Sequence, residues 1–195
     1  EGFFDIPIVN IPTPRIQAGI VDELIVSGKL ATTPVLVSPD SGGVGRTQAV
    51  ARKVTQAGPI EMAIIDKRRS KPNEASVFNI IGDVEGKTCI IVDDMVDTAG
   101  TLCKAAEALI EQGAKQVMAL CTHGVLSGNA LEKLNNSVIE KLVITDTIPQ
   151  RISTHDGDAM EAWEKIIEVR PVTANYAQDV ILQIRSGAST HAVYE

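Results

Sequence analysis

Aromatic residues are scarce in this chain of 195 residues, where one Trp, two Tyr and three Phe make up 3%. The core must therefore be built from Val, Ile, Leu and Ala, within a hydrophobic content of 44%. Long apolar runs are absent too, and none approaches the roughly 20 residues of a membrane span. Residues 1–5 lack the basic and apolar regions of a signal peptide. We expect an ordinary globular protein with no membrane partner.

Cysteine and positive charge are also in short supply. The three cysteines, Cys89, Cys103 and Cys121, cannot all pair and lack the spacing of a metal site. We interpret them as small buried residues and expect a reducing, cytoplasmic location. The formal net charge of −7 argues against non-specific binding of nucleic acid. A small anionic ligand remains compatible with it, because such a ligand needs only local positive charge.

Short apolar runs alternate with longer amphipathic ones. The pattern predicts strands at 35–38, 61–66, 88–93, 117–121, 142–145 and 167–172, and helices at 16–26, 44–56, 100–112, 129–134, 158–166 and 176–185. This alternation favours an α/β fold, with a mostly parallel sheet flanked by helices. Residues 1–15, which contain three prolines, are expected to form an extended lead-in to one domain over 16–195. Ligands of such sheets gather at the carboxyl ends of the strands.

The segment 90–102 carries the most informative pattern. An apolar run meets two adjacent carboxylates, Asp93 and Asp94, and a loop of small residues then leads into a helix. Free backbone N–H groups and the helix dipole make such a loop suited to an anion. The carboxylates would repel a bare phosphate, but they suit the hydroxyls of a sugar, or Mg²⁺ held near a phosphate. A sugar phosphate with a metal ion is therefore the first hypothesis.

The loop itself supplies groups of the right chemistry. Thr98 and Thr101 offer hydroxyl donors, and Gly100 lets a phosphate approach the backbone closely. The alternative is that Asp97 is only the N-cap of the following helix, a frequent role for aspartate.

Two further segments contain candidate ligand groups. In residues 38–46, Gly42 and Gly43 permit a turn whose N–H groups could hold an anion, and Asp40 could ligate Mg²⁺. The alternative is a plain glycine-rich turn. Residues 66–76 include four cations in a polar loop, which is either a solvated charge run or an arm that closes on phosphates.

These segments together resemble a known family. The run Asp-Asp-Met-Val-Asp-Thr-Ala-Gly-Thr resembles the phosphoribosyl-diphosphate motif that type I phosphoribosyltransferases share with ribose-phosphate diphosphokinases. Ser-Pro-Asp-Ser-Gly-Gly (38–43) is similar to the pyrophosphate loop of the diphosphokinases, and Lys-Arg-Arg (67–69) to their catalytic loop. The match corresponds to the second half of a diphosphokinase, and nothing resembles the first half, which supplies much of the ATP site. The chain is therefore expected to be a fragment, a split subunit or a short relative.

The resemblance implies a type I phosphoribosyltransferase-like fold, Mg²⁺ as cofactor, and ATP and ribose 5-phosphate as substrates. Diphosphate would pass from Mg-ATP to the anomeric hydroxyl of ribose 5-phosphate. Ribose 5-phosphate would be bound by Asp93, Asp94, Asp97, Thr98, Ala99, Gly100 and Thr101. The diphosphate would be bound by Asp40, Ser41, Gly42 and Gly43, with Asp40 on the metal. Lys67 and Arg69 would be catalytic.

Two alternatives remain open. A type I phosphoribosyltransferase would transfer ribose to a base, although the Lys-Arg-Arg loop counts against it. A non-catalytic subunit would only bind ribose phosphates. In each case we expect a homo-oligomer or association with the missing half, because half-to-half packing in this family would leave an apolar face uncovered.

Overall fold

The computed structural model describes residues 3, 5, 12–68, 77–150, 157–172 and 176–187. Helices and strands alternate through most of these ranges, and residues 61–96 contain three strands in succession. The elements are α1 (Pro14–Val26), β1 (Pro34–Ser38), α2 (Val44–Ala51), β2 (Glu61–Arg68), β3 (Val77–Ile81), β4 (Thr88–Val96), α3 (Gly100–Glu111), β5 (Gln116–Gly124), α4 (Ala130–Asn135), β6 (Lys141–Thr145), α5 (Gly157–Ile166), β7 (Ile167–Arg170) and α6 (Tyr176–Arg185). No helix in these ranges is long and apolar enough to cross a membrane.

The strands form one sheet in the order β3-β2-β1-β4-β5-β6-β7. All neighbours pair in parallel except β2 and β3, which are antiparallel. The predicted α/β fold with a mostly parallel sheet is therefore confirmed. The chain leaves β1 toward β2 and later returns to place β4 on the other side of β1. This reversal opens a crevice at the carboxyl ends of β1 and β4, where ligands of such sheets bind.

Side chains of the central strands alternate between two cores. Val35, Val37 and Ile91 face the core that contains α3 and α4. Leu36 and Ile90 face the core that contains α1 and α2. All five are 1% exposed or less, and burying a side chain of this size contributes about 1.5–3 kcal/mol. Aliphatic packing on both faces thus replaces the aromatic residues that the chain lacks.

The three cysteines lie in this interior, as the sequence predicted. Cys89, Cys103 and Cys121 are buried and free. Burial raises the pKa of the Cys89 thiol to about 11 and also raises the pKa values of the other two. They therefore act as small apolar residues.

Several elements differ from the sequence prediction. Strand β4 continues past residue 93 to Val96, because β5 pairs with it as far as Gly124. Helix α2 ends at Ala51, well before residue 56, because the Asp22 carboxylate accepts hydrogen bonds from the amides of Thr55 and Gln56 and holds them against α1. Strand β3 was not predicted at all, and α1 begins at Pro14 inside the expected lead-in.

Gly82, which follows β3, has a backbone that a side chain would strain. Its φ is +117°, and an added Cβ would lie 2.9 Å from Met62 O and 3.0 Å from Ala63 Cα. We expect Gly82→Ala to lower the free energy of unfolding by at least about 2 kcal/mol. Gly19→Ala, on the exposed face of α1 with open space around it, should instead raise it by about 0.5–1 kcal/mol. Urea unfolding of both variants measures this, and a Gly82→Ala variant as stable as the wild type would contradict it.

Candidate functional site

The carboxyl end of β4 borders a pocket of about 190 Å³. Its lining consists of Pro39, Asp93 and residues 95–102, so the loop after β1 meets the loop after β4 there. Two pockets of about 340 and 240 Å³ lie around residues 32–34, before and at the start of β1. Those two pockets are larger, but the candidate ligand groups line the pocket of about 190 Å³ at the end of β4. We therefore place the candidate site in that pocket.

Arg46 in α2 bridges the two carboxylates. Its Nη1 donates to Asp93 Oδ1 at 2.9 Å, and its Nη2 donates to Asp94 Oδ2 at 2.7 Å. The Arg46 side chain is 28% exposed and the side chains of Asp93 and Asp94 are 29% and 49% exposed, so these ion pairs are only partly screened by water. The Asp94 amide also donates to Asp93 Oδ1, at 2.8 Å. One cation therefore holds both acids at the end of β4, facing the crevice.

Burial is the main influence on the Asp93 carboxyl. It raises the pKa of Asp93 to about 6, and the neighbouring Asp94 charge adds to the rise. The hydrogen bond from the Asp94 amide and the charge of Arg46 oppose the rise. Asp93 is therefore an ionised acceptor at neutral pH that becomes protonated in mildly acidic solution.

A buried side chain from α1 supports the backbone of the acid pair. Gln17, which is fully buried, donates through Nε2 to Asp93 O at 3.2 Å and to Thr122 Oγ1 at 3.4 Å. Its Oε1 has no hydrogen-bond partner among the described residues. The first helix is thereby tied to the position of Asp93, and this link crosses 76 residues of sequence.

The loop after β4 forms the start of α3. Ala99, its N-cap residue, is 4% exposed and adopts a left-handed conformation with φ +59°. This conformation costs about 1 kcal/mol or more for a residue with a Cβ, and it concentrates at functional sites. The first helical hydrogen bond is Cys103 N to Ala99 O at 2.9 Å, so the amides of residues 100–102 precede the helical ladder. Thr98 and Thr101 are exposed beside them.

Asp97 has a role other than the N-cap considered above. The N-cap is Ala99, and it makes no side-chain cap bond. Asp97 Oδ1 instead accepts a hydrogen bond from Ser127 Oγ, so its charge is directed toward the segment after β5.

The loop after β1 is held by its own hydrogen bonds. The Gly43 amide donates to Asp40 Oδ1 at 2.8 Å, and Ser38 Oγ donates to Asp40 O at 2.7 Å. A Cβ on Gly43 would lie 2.8 Å from Ser38 Oγ, so a side chain there would displace the hydroxyl that bonds to Asp40 O. The Gly43 amide is thus used inside the loop, whereas Ser41 and Gly42 lie exposed at its tip.

The residues present fit Mg²⁺ in one specific way. No group of three or more His, Cys, Asp or Glu that could hold a metal ion occurs in the part of the chain that the structure describes. Magnesium commonly binds to one or two carboxylates and completes its shell with water and substrate phosphates. The exposed carboxylate of Asp40 matches that requirement.

The two predicted catalytic residues fall at the edge of the described chain. Lys67 lies in β2, where its backbone pairs with Phe78 of β3, and β2 neighbours β1. The side chain of Lys67 and all of Arg69 lie outside the described residues.

Sequence reasoning missed Arg46, Gln17 and Lys133. Arg46 was part of the glycine loop segment, but nothing in the sequence indicated that its side chain contacts the carboxylates of Asp93 and Asp94. Gln17 carried one signal, because it lies between apolar neighbours on the buried face of α1. Lys133 donates to Thr98 O at 3.1 Å from α4, a contact that spans 35 residues and leaves no local pattern.

Comparison with known proteins matches this architecture. The phosphoribosyl synthetase-associated domain family matches residues 45–170. A ribose-phosphate pyrophosphokinase of Marinomonas sp. is 54% identical over 150 residues, covering 76% of this chain and 45% of the relative. One from Xanthomonas axonopodis pv. citri is 45% identical over 201 residues, covering 100% and 56%. The chain thus spans about half the length of these relatives.

A solved structure supports the fold. The phosphoribosylpyrophosphate synthetase from Mycobacterium smegmatis superposes with a TM-score of 0.73 and 31% identity, over 96% of this chain and 55% of that one. The expected type I phosphoribosyltransferase-like architecture and the resemblance to ribose-phosphate diphosphokinases are confirmed. The family match covers well over half of the sequence and includes the loop after β4, whereas the loop after β1 lies just before it. The chain therefore belongs to the phosphoribosyl synthetase-associated domain family.

Proposed function

We propose that this chain binds ribose 5-phosphate at the carboxyl ends of β1 and β4, within an enzyme that transfers diphosphate from Mg-ATP to this sugar. The observation that supports it most is a single pocket that offers acceptors for sugar hydroxyls and donors for a phosphate. Asp93 lines it as a carboxylate acceptor for sugar hydroxyls, and residues 98–101 line it with hydroxyls and helix-start amides suited to a phosphate.

The geometry suggests which atoms meet the sugar. Asp93 Oδ1 and Asp94 Oδ2 already accept hydrogen bonds from Arg46. The ribose 2- and 3-hydroxyls would therefore donate to the other carboxylate oxygens, Asp93 Oδ2 and Asp94 Oδ1. Residues 97–101 would bind the 5-phosphate, and the anomeric carbon would then lie toward the loop after β1.

The diphosphate would occupy that loop. Asp40 would hold Mg²⁺, and Ser41, Gly42 and Gly43 would bind phosphate oxygens, with the Gly43 amide exchanging Asp40 for the ligand. A magnesium ion bound there would neutralise charge on the diphosphate. We assign Asp40 no other part in the reaction.

The transfer needs no covalent intermediate on the protein. The anomeric oxygen forms a bond to the β-phosphorus of ATP, the bond from this phosphorus to the α–β bridging oxygen breaks, and AMP leaves. The proton of the sugar hydroxyl is released. Lys67 and Arg69 would neutralise the charge that develops on the transferred group, so positioning and electrostatics supply the rate.

Partners and location follow from the same proposal. Because relatives of this family are about twice as long, ATP binding would require either a second polypeptide segment or further copies of this chain. We propose a cytoplasmic enzyme with ATP and ribose 5-phosphate as ligands. The rival functions are a ribose-phosphate-binding subunit without activity and a type I phosphoribosyltransferase.

Isothermal calorimetry with ribose 5-phosphate tests the binding site. Thr101→Val removes an exposed hydroxyl at nearly constant shape and should weaken binding about 10-fold, the effect of losing a hydrogen bond to a charged group. Thr33→Val, at the opposite end of β1, is the matched control and should bind like the wild type. Failure of the wild-type chain to bind ribose 5-phosphate would refute the proposal.

Turnover separates the three functions. Incubation with Mg-ATP and ribose 5-phosphate should yield AMP and phosphoribosyl diphosphate. Consumption of phosphoribosyl diphosphate with a free base would instead indicate a phosphoribosyltransferase. Sugar binding without turnover of either substrate set would indicate the binding subunit.

The pH dependence of sugar binding should reflect Asp93. Because its pKa lies near 6, the affinity for ribose 5-phosphate should fall about 10-fold between pH 7.5 and pH 5 as one charged acceptor is lost. The phosphate of the ligand also titrates near pH 6, so Asp93→Asn provides the baseline without the carboxylate. Arg46→Gln removes the opposing charge, so the pH at which binding weakens should move upward.

The free energy of unfolding should respond to acid in the opposite way to the sugar affinity. A carboxyl whose pKa is raised on folding binds its proton more tightly in the folded state. The contribution of Asp93 to the free energy of unfolding should therefore increase as the pH falls from about 6 to 4. Weaker binding at pH 5 would therefore not reflect unfolding at this site. An Asp93→Asn variant with the same pH profile as the wild type would contradict the assignment.

Lys67 should affect the chemical step alone. Lys67→Gln should lower kcat by about 10²- to 10³-fold, as for other groups that stabilise transition-state charge, while ribose 5-phosphate affinity stays unchanged. AMP release is measured in the form of the protein that turns over Mg-ATP, with Lys115→Gln as the charge-matched control. An unchanged kcat would remove Lys67 from the mechanism.

A further inference from the structure

Three consecutive carbonyl groups after the acid pair are bonded from one side. Val96 O accepts two amide hydrogen bonds, at 3.0 and 3.1 Å, and Asp97 O accepts one at 3.1 Å, all from residues 125–127. The next carbonyl, Thr98 O, accepts from Lys133 Nζ at 3.1 Å. The segment after β5 and helix α4 together form a brace behind the loop.

The brace determines how the loop presents its amides. In a planar trans peptide the N–H points opposite to the C=O. Because the carbonyls of residues 96–98 point toward the brace, the amides of residues 97–99 point away from it. Unlike the other three bonds of the brace, the bond to Thr98 comes from a charged side chain, and such bonds are stronger than neutral ones.

Lys133 also lies beside the start of α3. A Cβ built on Gly100 would lie 4.0 Å from Lys133 Nζ, so the ammonium is close to the helix end whose amides carry partial positive charge. The sequence from 96 to 102 contains Asp97 and no cation. Positive charge for this loop must therefore come from another element, and Lys133 supplies it from 35 residues away.

We propose that Lys133 is a positioning residue for the phosphate of the ligand, which orients the Thr98 peptide and makes the loop selective for a dianionic phosphate. This inference rests on the proposed binding of ribose 5-phosphate. Lys133 acts through the Thr98 carbonyl and through its electric field, and it is not assigned a direct contact with the sugar.

The test compares three variants of the full chain. Lys133→Met removes the charge and the donor, Lys133→Arg keeps both, and Lys115→Met makes the same charge change in the turn before β5. We expect Lys133→Met to weaken ribose 5-phosphate binding about 10-fold, Lys133→Arg to restore most of it, and Lys115→Met to have no effect.

A second readout separates electrostatics from simple structural support. The ³¹P shift of bound ribose 5-phosphate, followed against pH, gives the pKa of the bound phosphate. A nearby cation favours the dianion, so this pKa should be higher in Lys133→Met than in Lys133→Arg and the wild type.

The outcomes are distinct from those of the parent proposal. If the wild type does not bind ribose 5-phosphate, the proposed function fails. If it binds and Lys133→Met binds equally well, or if the phosphate pKa is the same in all variants, this inference alone is overturned. Where Lys133→Met is too unstable to measure, a Lys133→Arg variant that lowers affinity as much as Thr101→Val also overturns it.

Discussion

The parallel pairing of β1 with β4 is the constraint on which the rest of the site depends. Its register sets Val37 opposite Ile91, so both strands reach the same edge of the sheet and then run into loops. The strand order reverses at this pair, because β2 lies on the far side of β1 and β5 lies on the far side of β4. Because the connections diverge, the crevice between them stays open. The glycine loop after β1 and the acidic end of β4 thereby become neighbours and line one pocket.

Charge compensation is the second requirement at this edge. Two adjacent carboxylates and a third at Asp97 would together repel a phosphate. Two elements bind these three carboxylates: α2 supplies Arg46 to the acid pair, and the segment after β5 supplies the Ser127 hydroxyl to Asp97. An acidic protein can thus hold an anionic ligand, since positive potential is needed only within a few ångströms of it.

Most of the fold was predictable because its signals are local. Buried parallel strands appear as short apolar runs, and helix α3 was located to within one residue at each end by its amphipathic period and by the glycine that follows it. Strand β3 was missed because β2 is its one neighbour among the described strands and pairs with it antiparallel, and because residues 77–81 show little alternation. The end of α2 was misplaced because Asp22, in another helix, holds the chain that follows it. Errors occurred where a tertiary contact outweighed local preference.

The sequence by itself determined the kinds of groups at the site: carboxylates, hydroxyls, glycines and the strand and helix ends that carry them. Residue type and spacing suffice for this, because anion-binding loops require small residues at a helix start. The tertiary structure alone decided which of these groups contact one another. Arg46 faces Asp93 and Asp94, Gln17 supports the backbone of Asp93, and Lys133 reaches Thr98, because sheet order and helix packing bring distant segments together. Contacts of this kind depend on relative position in space, which no local pattern of residues records.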